Sequence, residues 1–316
     1  MYTLGIDTSN YTTSVCLYGY ENGLAVPLKK LLPVKKGQLG LRQSDAVFHH
    51  TQQLPEMLKR LFSHLNVKDK IAAVGVSVRP RDEDGSYMPC FTVGKGAADI
   101  LGSALRVPVY CFSHQLGHIA AAVYSSGSER ICSDVFLAFH VSGGTTEVVL
   151  VKPDAEKLFS TEIIAKSLDL HAGQAVDRVG VSLGLSFPCG PELERLALSC
   201  KKCVNVKPCI KGRNCCLSGI ENICKRLLAD GVSREEVSLT CLMFIAKSIE
   251  GMCTRIFADY GDMPVLFAGG VMSNTIIKKY LSERFNCIFT EPVFSADNAY
   301  GTSVLAYKMY CKEHKI

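Results

Sequence analysis

The feature that most constrains this chain is a pattern that occurs twice. The opening "MYTLGIDTSNYTTSVCLYGY" is an apolar run, a stretch of small polar side chains, then a second β-branched run. "DVFLAFHVSGGTTEVVLVKP" repeats it: Val135 to Val141, then Ser142-Gly-Gly-Thr-Thr-Glu147, then Val148 to Val151. Each copy reads as a β-hairpin with a small-residue turn. Glycines and hydroxyls in such a turn let backbone N–H groups approach an anion. Each hairpin also opens a block of alternating strands and helices. The pattern therefore predicts an α/β fold made of two duplicated lobes, with a nucleotide between them.

The remaining segments follow that plan. "VFHHTQQLPEMLKRLFSHL" has helical periodicity, "IAAVGVSV" is a buried strand, "GKGAADILGSAL" begins a helix, and the strand "VPVYCF" leads directly into "SHQLGH". In the second block "SLTCLMFIAKSIEGMCTRIFADY" is a long amphipathic helix and "PVLFAGG" a parallel strand. "SNTIIKKYLSERF" is a helix with Ser273 near its N-cap. The final "DNAYGTSVLAYKMY" is a helix expected to pack back onto the first half. The predicted division is residues 1–112 plus a closing helix at 295–316 for one lobe, and 113–294 for the other.

At 316 residues the chain is long enough for two such cores. No basic and apolar leader opens it, and no run of about 18 uncharged apolar residues is expected to cross a membrane. Most of its 15 cysteines stand singly in apolar stretches, where a free thiol behaves as a small hydrophobe. A reducing, cytoplasmic location follows. The exception is "CKKCVNVKPCIKGRNCC", in which Cys200, Cys203, Cys209, Cys215 and Cys216 could bind a metal or remain free thiols. The spacing beyond the first pair fits no standard zinc pattern. The net charge of +5 is a mild bias towards acidic partners. Two basic runs, Lys29 to Lys36 and Lys201 to Arg213, are candidate phosphate contacts, with a solvated loop as the alternative.

"SHQLGHIAAA" places His114 and His118 one helical turn apart on one face, the spacing by which two imidazoles reach one ion. A metalloprotease of the HExxH type is excluded, because Gln115 stands where the general base is required. No GxxxxGK[ST] loop is present. The strand in "FAGGVMSN" ends at Gly269-Gly270 before a helix, and ligands of α/β sheets bind beyond the carboxyl ends of strands.

The order of these segments carries a resemblance. A strand leading into HxxxH, then "VSGGTT", "DLHAGQAVDRVG…FPCGPELE", "AGGVMSN" and "ADNAYG" resembles the family that transfers threonylcarbamoyl to adenosine 37 of tRNA, formerly labelled a sialoglycoprotein endopeptidase. That family resembles the actin-like ATPases. The resemblance implies His114, His118 and Asp297 as ligands of an iron or zinc ion. It implies Val141, Ser142, Gly143 and Gly144 at the phosphates of ATP or an adenylate. Asp177, Gly190 and Glu194 would hold the ribose, with Gly269, Gly270 and Asn274 beside the nucleotide. Partners implied are tRNA and other subunits of threonylcarbamoylation or a related homologous subunit; the basic run, with Lys201, Lys202, Lys207, Lys211 and Arg213, is the candidate tRNA contact.

Several positions depart from the family pattern. Asn10, Tyr11 and Thr12 stand where acidic residues are usual in the first hairpin, Thr145 where His is usual, and Gln174 where Glu is usual. "RPRDEDGSYMPCF" replaces a Gly-Pro-Gly segment, and "GQLGLRQSDAVFHH" replaces Gly-Val-Val-Pro-Glu. Lost carboxylates near phosphates can remove a positioned water or metal. The sequence thus leaves an acyltransferase as the leading reading, a nucleotide-binding scaffold or paralogue without transfer chemistry as the second, and a small-molecule kinase as the third.

Overall fold

The computed structural model describes the whole chain except residues 10, 20, 22, 34–40, 67–69, 84 and 291–298. It divides into two compact units: residues 1–129 with 153–161 and 293–316, and residues 130–152 with 162–292.

The first unit is built on β1 (Tyr2–Ser9), β2 (Thr12–Gly19), β3 (Ala25–Leu31), α1 (Gln43–Phe62), β4 (Ile71–Arg79), α2 (Phe91–Leu105), β5 (Val109–Ser113) and α3 (His114–Ser125). In the second are β6 (Phe136–Val141), β7 (Thr146–Asp154) and β8 (Leu158–Lys166), apart from residues 153–154 and 158–161 of the last two strands, then α4 (Ala172–Ser182), α5 (Gly190–Ser199), β9 (Cys209–Lys211), β10 (Asn214–Cys216), α6 (Gly219–Ala229), α7 (Arg234–Tyr260), β11 (Val265–Ala268), α8 (Thr275–Ser282) and β12 (Cys287–Phe289). The last helix, α9 (Tyr300–His314), returns to the first unit.

The duplication is explicit in the topology. The first sheet runs β3-β2-β1-β4-β5 and the second β8-β7-β6-β11-β12, so each block places its strands in the order third, second, first, fourth, fifth. In both sheets the first strand pairs antiparallel with the second and parallel with the fourth, and the fourth pairs parallel with the fifth. The central strands are apolar on both faces, as helix-covered parallel strands must be. Leu4, Ile6, Val74 and Val76 fill the first core, and Leu137, Phe139, Val265 and Phe267 the second. At the first sheet's edge, β3 carries Pro27, Lys29 and Lys30, residues that discourage further pairing.

Three expectations shift. The boundary falls at 129/130 rather than 112/113, because α3 packs on α9 and on β4 and β5 of the first unit. That packing is close: a Cβ on Gly301 of α9 would fall on the Gly117 carbonyl oxygen of α3. The cap of α8 is Asn274, not Ser273: its Oδ1 accepts the N–H groups of Ile276 and Ile277, each at 3.1 Å. Finally, α7 is long and apolar enough by length and composition to cross a membrane, yet most of its apolar stretch is buried in the second core.

Candidate functional site

In the first unit, β5 runs straight into α3, and Ser113 caps the junction by accepting the Leu116 N–H at 3.1 Å. The cap puts His114 at the first position of the helix and His118 one turn later. Their Nε2 atoms lie 3.0 Å apart. Two imidazole lone pairs repel at that distance, so a proton or a cation must lie between them. Nitrogens bound in adjacent positions to one ion at about 2.1 Å stand roughly 3 Å apart, so this pair fits a metal.

The His114 Nδ1–H donates to Asp7 Oδ2 at 2.7 Å, which leaves its Nε2 as the lone-pair nitrogen. Asp7 is 1% exposed and accepts two further bonds, from the Ser9 N–H at 2.8 Å and the Ser77 hydroxyl at 2.7 Å. A buried carboxylate with three donors keeps its charge without an uncompensated desolvation cost. Asp7 belongs to this site although no expectation placed it there; a lone acid inside the apolar "TLGIDTS" was the available signal. The divergent segment after β4 also supports α3: Asp82 takes the Arg79 guanidinium at 2.6 Å and the Ser113 hydroxyl at 3.2 Å. The third expected ligand, Asp297, lies outside the described residues. Among the described residues no group of three or more His, Cys, Asp or Glu side chains is placed to hold an ion.

In the second unit a cavity of about 390 Å³ opens among the β6–β7 turn, α4, α5, α7 and the segment after β11. That is large enough for a nucleoside-sized ligand. Six of the ten positions expected around a nucleotide line it: Gly143, Asp177, Gly190, Glu194, Gly270 and Asn274. Val141, Ser142, Gly144 and Gly269 do not. Val141 is fully buried in β6. Gly269, at φ +102°, lies so close to the Val141 carbonyl that a Cβ there would overlap it. Val176, Pro188 and Pro191, inside the quoted motif block, and Leu242 of α7 supply an apolar wall.

The polar groups on the cavity divide into engaged and available. Ser142 closes the turn, its Oγ accepting the Thr145 and Gly144 N–H groups at 3.2 and 3.4 Å. The Gly143 N–H has no acceptor among the described residues. The first amides of α4 are engaged, Ala172 with Thr146 Oγ1 and Gly173 with the Ser142 carbonyl, so that helix end is closed to an anion. Asp177 spends Oδ1 on the Cys189 N–H at 2.9 Å and keeps Oδ2 without a partner among the described residues. Glu194 lines the cavity, and its Oε1 accepts both the N–H and the hydroxyl of Thr275, tying α5 to α8. Asn274 commits its carbonyl to the α8 cap, and its amide –NH₂ is the donor left over.

The basic segment is less charged than its sequence suggests. Lys202 pairs with Glu236 at 2.7 Å, and Arg213 with Asp259 at 3.3 Å. Lys201, Lys207 and Lys211 are exposed and have no acidic partner among the described residues. Around them all the cysteines are free thiols.

Comparisons with known proteins agree with this architecture. The S. griseus glucokinase of the ROK family, solved with glucose and AMPPNP, aligns at TM-score 0.54 and 10% identity over 98% of this chain and all of its own. That likeness shows the fold alone. The tRNA N6-adenosine threonylcarbamoyltransferase of Archaeoglobus fulgidus is 27% identical over 89% of this chain and 81% of its own length. A probable bifunctional tRNA threonylcarbamoyladenosine biosynthesis protein of Thermoplasma volcanium is also 27% identical, over 90% of this chain but only 50% of its own. Residues 35–303, most of both units, match the tRNA N6-adenosine threonylcarbamoyltransferase (TsaD) family, and the chain belongs to that family.

Proposed function

We infer that this protein transfers the threonylcarbamoyl group of threonylcarbamoyl-AMP to N6 of adenosine 37 in tRNA. Family membership over residues 35–303 carries the reading, and the cavity of the second unit supports it. The N6 amine forms the new C–N bond to the carbamoyl carbon, and AMP departs with the electron pair of the broken C–O bond.

Within the cavity, Asp177 Oδ2 accepts a ribose hydroxyl, and the Asn274 amide donates to the nucleotide. The Gly143 N–H donates to a phosphate oxygen, with no side chain at Gly143 or Gly144 to keep the anion away. Glu194 acts one step back, holding α5 against α8 so that Asp177 and Asn274 keep their spacing. The apolar wall excludes water from the adenylate, whose mixed anhydride is open to hydrolysis.

His114 and His118 would hold an iron or zinc ion, with Asp297 as the third ligand. Bound there, the ion supplies Lewis-acid polarisation of substrate oxygens. Asp7 fixes the His114 tautomer that leaves Nε2 free to bind it.

The motif departures weaken this reading less than the sequence alone implied. Gln174 Oε1 accepts the His171 N–H at 3.2 Å, a capping task that Gln performs as well as Glu. Thr145 closes its turn through the backbone, its carbonyl accepting the Ser142 N–H at 2.8 Å. Lys201, Lys207 and Lys211 are the exposed cations for tRNA phosphates. The fifteen free thiols suit a reducing cytoplasm. A partner subunit supplies what the other half of the Thermoplasma volcanium protein carries in one chain. The test is product: threonylcarbamoyladenosine in tRNA after incubation with threonylcarbamoyl-AMP and partner subunits. Tight adenylate binding with no product would favour the scaffold reading.

A further inference from the structure

The cysteines of the segment 200–216 take no part in the transfer just described, and their geometry assigns them separate chemistry. β9 and β10 form a two-stranded antiparallel ladder in which Cys216 stands directly opposite Cys209 and Cys215 opposite Ile210. Side chains alternate across a ladder. Cys215 is buried, and Ile210 reaches Gly251 of α7, where the absence of a side chain leaves room for it. The other face therefore carries Cys209 and Cys216 towards solvent: Cys209 is exposed, Cys216 is half-buried, and burial, helped by the neighbouring Cys209, pushes the Cys216 thiol up. Directly opposed residues of an antiparallel pair have Cα atoms about 4.5–5.5 Å apart. A disulfide needs about 4.4–6.8 Å. The register therefore brings the two Cα atoms within the span that a disulfide bridges.

We propose that Cys209 and Cys216 are a reversible two-electron redox site whose substrate is a small-molecule disulfide such as glutathione disulfide. The exposed Cys209 thiolate attacks one sulfur of the disulfide, breaking its S–S bond and releasing one thiol. The Cys216 thiolate then attacks the Cys209 sulfur, forms the cross-strand bond and releases the second thiol. Two protein thiols are oxidised, one external disulfide is reduced, and the two protons leave on the released thiols. Cys216 suits the resolving role, since partial burial and the nearby Asp169 carboxylate push its thiol up.

Oxidation has a structural consequence. β10 and the residue after it are tied to residues 166–170 by three hydrogen bonds: Lys166 N–H to Asn214, Leu168 N–H to the Cys215 carbonyl, and Leu217 N–H to Asp169. β9 has the ladder and Ile210. A covalent bond would give β9, and the lysine-bearing segment leading into it, the anchorage of β10.

The experiment equilibrates the full-length reduced protein in glutathione buffers of graded oxidising strength, quenches with an alkylating agent, and maps tryptic peptides after denaturation. The expected product links peptide 203–211 to peptide 214–225, rises as one two-electron step, reverses in dithiothreitol, and disappears in both Cys209→Ser and Cys216→Ser. Cys216→Ser should instead hold one glutathione on Cys209. Both positions face solvent, so each variant should melt with the wild type, and either one alone can be read. A linked peptide that survives in a serine variant would place the bond on Cys203, Cys215 or Cys224 and overturn the proposal. So would buffers that load glutathione on Cys209 of the wild type without forming the link.

Discussion

The Asp7 carboxylate and the His114 imidazole, 107 residues apart in sequence, meet at 2.7 Å and fix which nitrogen of the histidine faces His118. A strand and a helix of the same unit are thereby joined at the point where the candidate ion would sit. Replacing Asp7 by Asn keeps the shape and removes the charge. Outer partners of this kind are worth about 10–100-fold in metal affinity. Equilibrium dialysis of D7N against iron or zinc should show a loss of that size, and unchanged affinity would remove Asp7 from the site.

Asn274 separates two roles in one side chain. Its carbonyl caps α8, and its amide is the proposed donor to the nucleotide in the cavity that Asn274 lines. Asn274→Ala should cost about 1 kcal/mol in urea unfolding, the usual value of a lost cap. Asn274→Asp should keep that stability, because Asp caps as well, yet weaken AMP binding in calorimetry. If N274D binds AMP like the wild type, the amide does not touch the nucleotide.

Much of this was legible because it is periodic or local. The repeated hairpins announced both sheets, and helical spacing announced that His114 and His118 share one face. Long-range choices were not legible. The place of α3 in the first unit depends on a close crossing with a helix 180 residues later. That Glu194 also ties α5 to the start of α8 depends on a contact between residues 81 positions apart. The pairings of Lys202 and Arg213 join residues more than 30 positions apart, and no local pattern announces them. In the cavity's apolar wall, Leu242 comes from α7 and carries no motif.

Gly269 is a backbone requirement rather than a ligand position. Its φ of +102° and its contact with the Val141 carbonyl both exclude a side chain. Gly269→Ala should destabilise the protein by about 2–3 kcal/mol in urea unfolding, from combined strain and overlap. A loss under about 0.5 kcal/mol would mean that the strand end yields easily.

Stability should fall on the acid side of neutrality through His50. This ring is fully buried in the first unit, and its Nδ1–H donates to Thr13 Oγ1 at 2.8 Å, since that hydroxyl itself donates to Gln53. Burial holds its pKa below the ordinary 6.5, partly offset by the Ser9 backbone and the Asp7 charge. The unfolded chain thus takes up a proton that the folded one refuses, and the stability present above about pH 6.5 declines as pH drops below it. The urea midpoint should be lower at pH 5.5 than at pH 7.5, and His50→Gln should reduce the difference. An equal difference in wild type and variant would exonerate His50.

The central claim is transfer itself, and one assay addresses it. Purified protein, threonylcarbamoyl-AMP, unmodified tRNA and the partner subunits are incubated, and the nucleosides are read by mass spectrometry, with His114→Ala and Asp177→Asn alongside. The account predicts threonylcarbamoyladenosine with the wild type and at least a tenfold loss in each variant, about 1.4 kcal/mol of transition-state stabilisation or more. Product formed equally by all three proteins would contradict it.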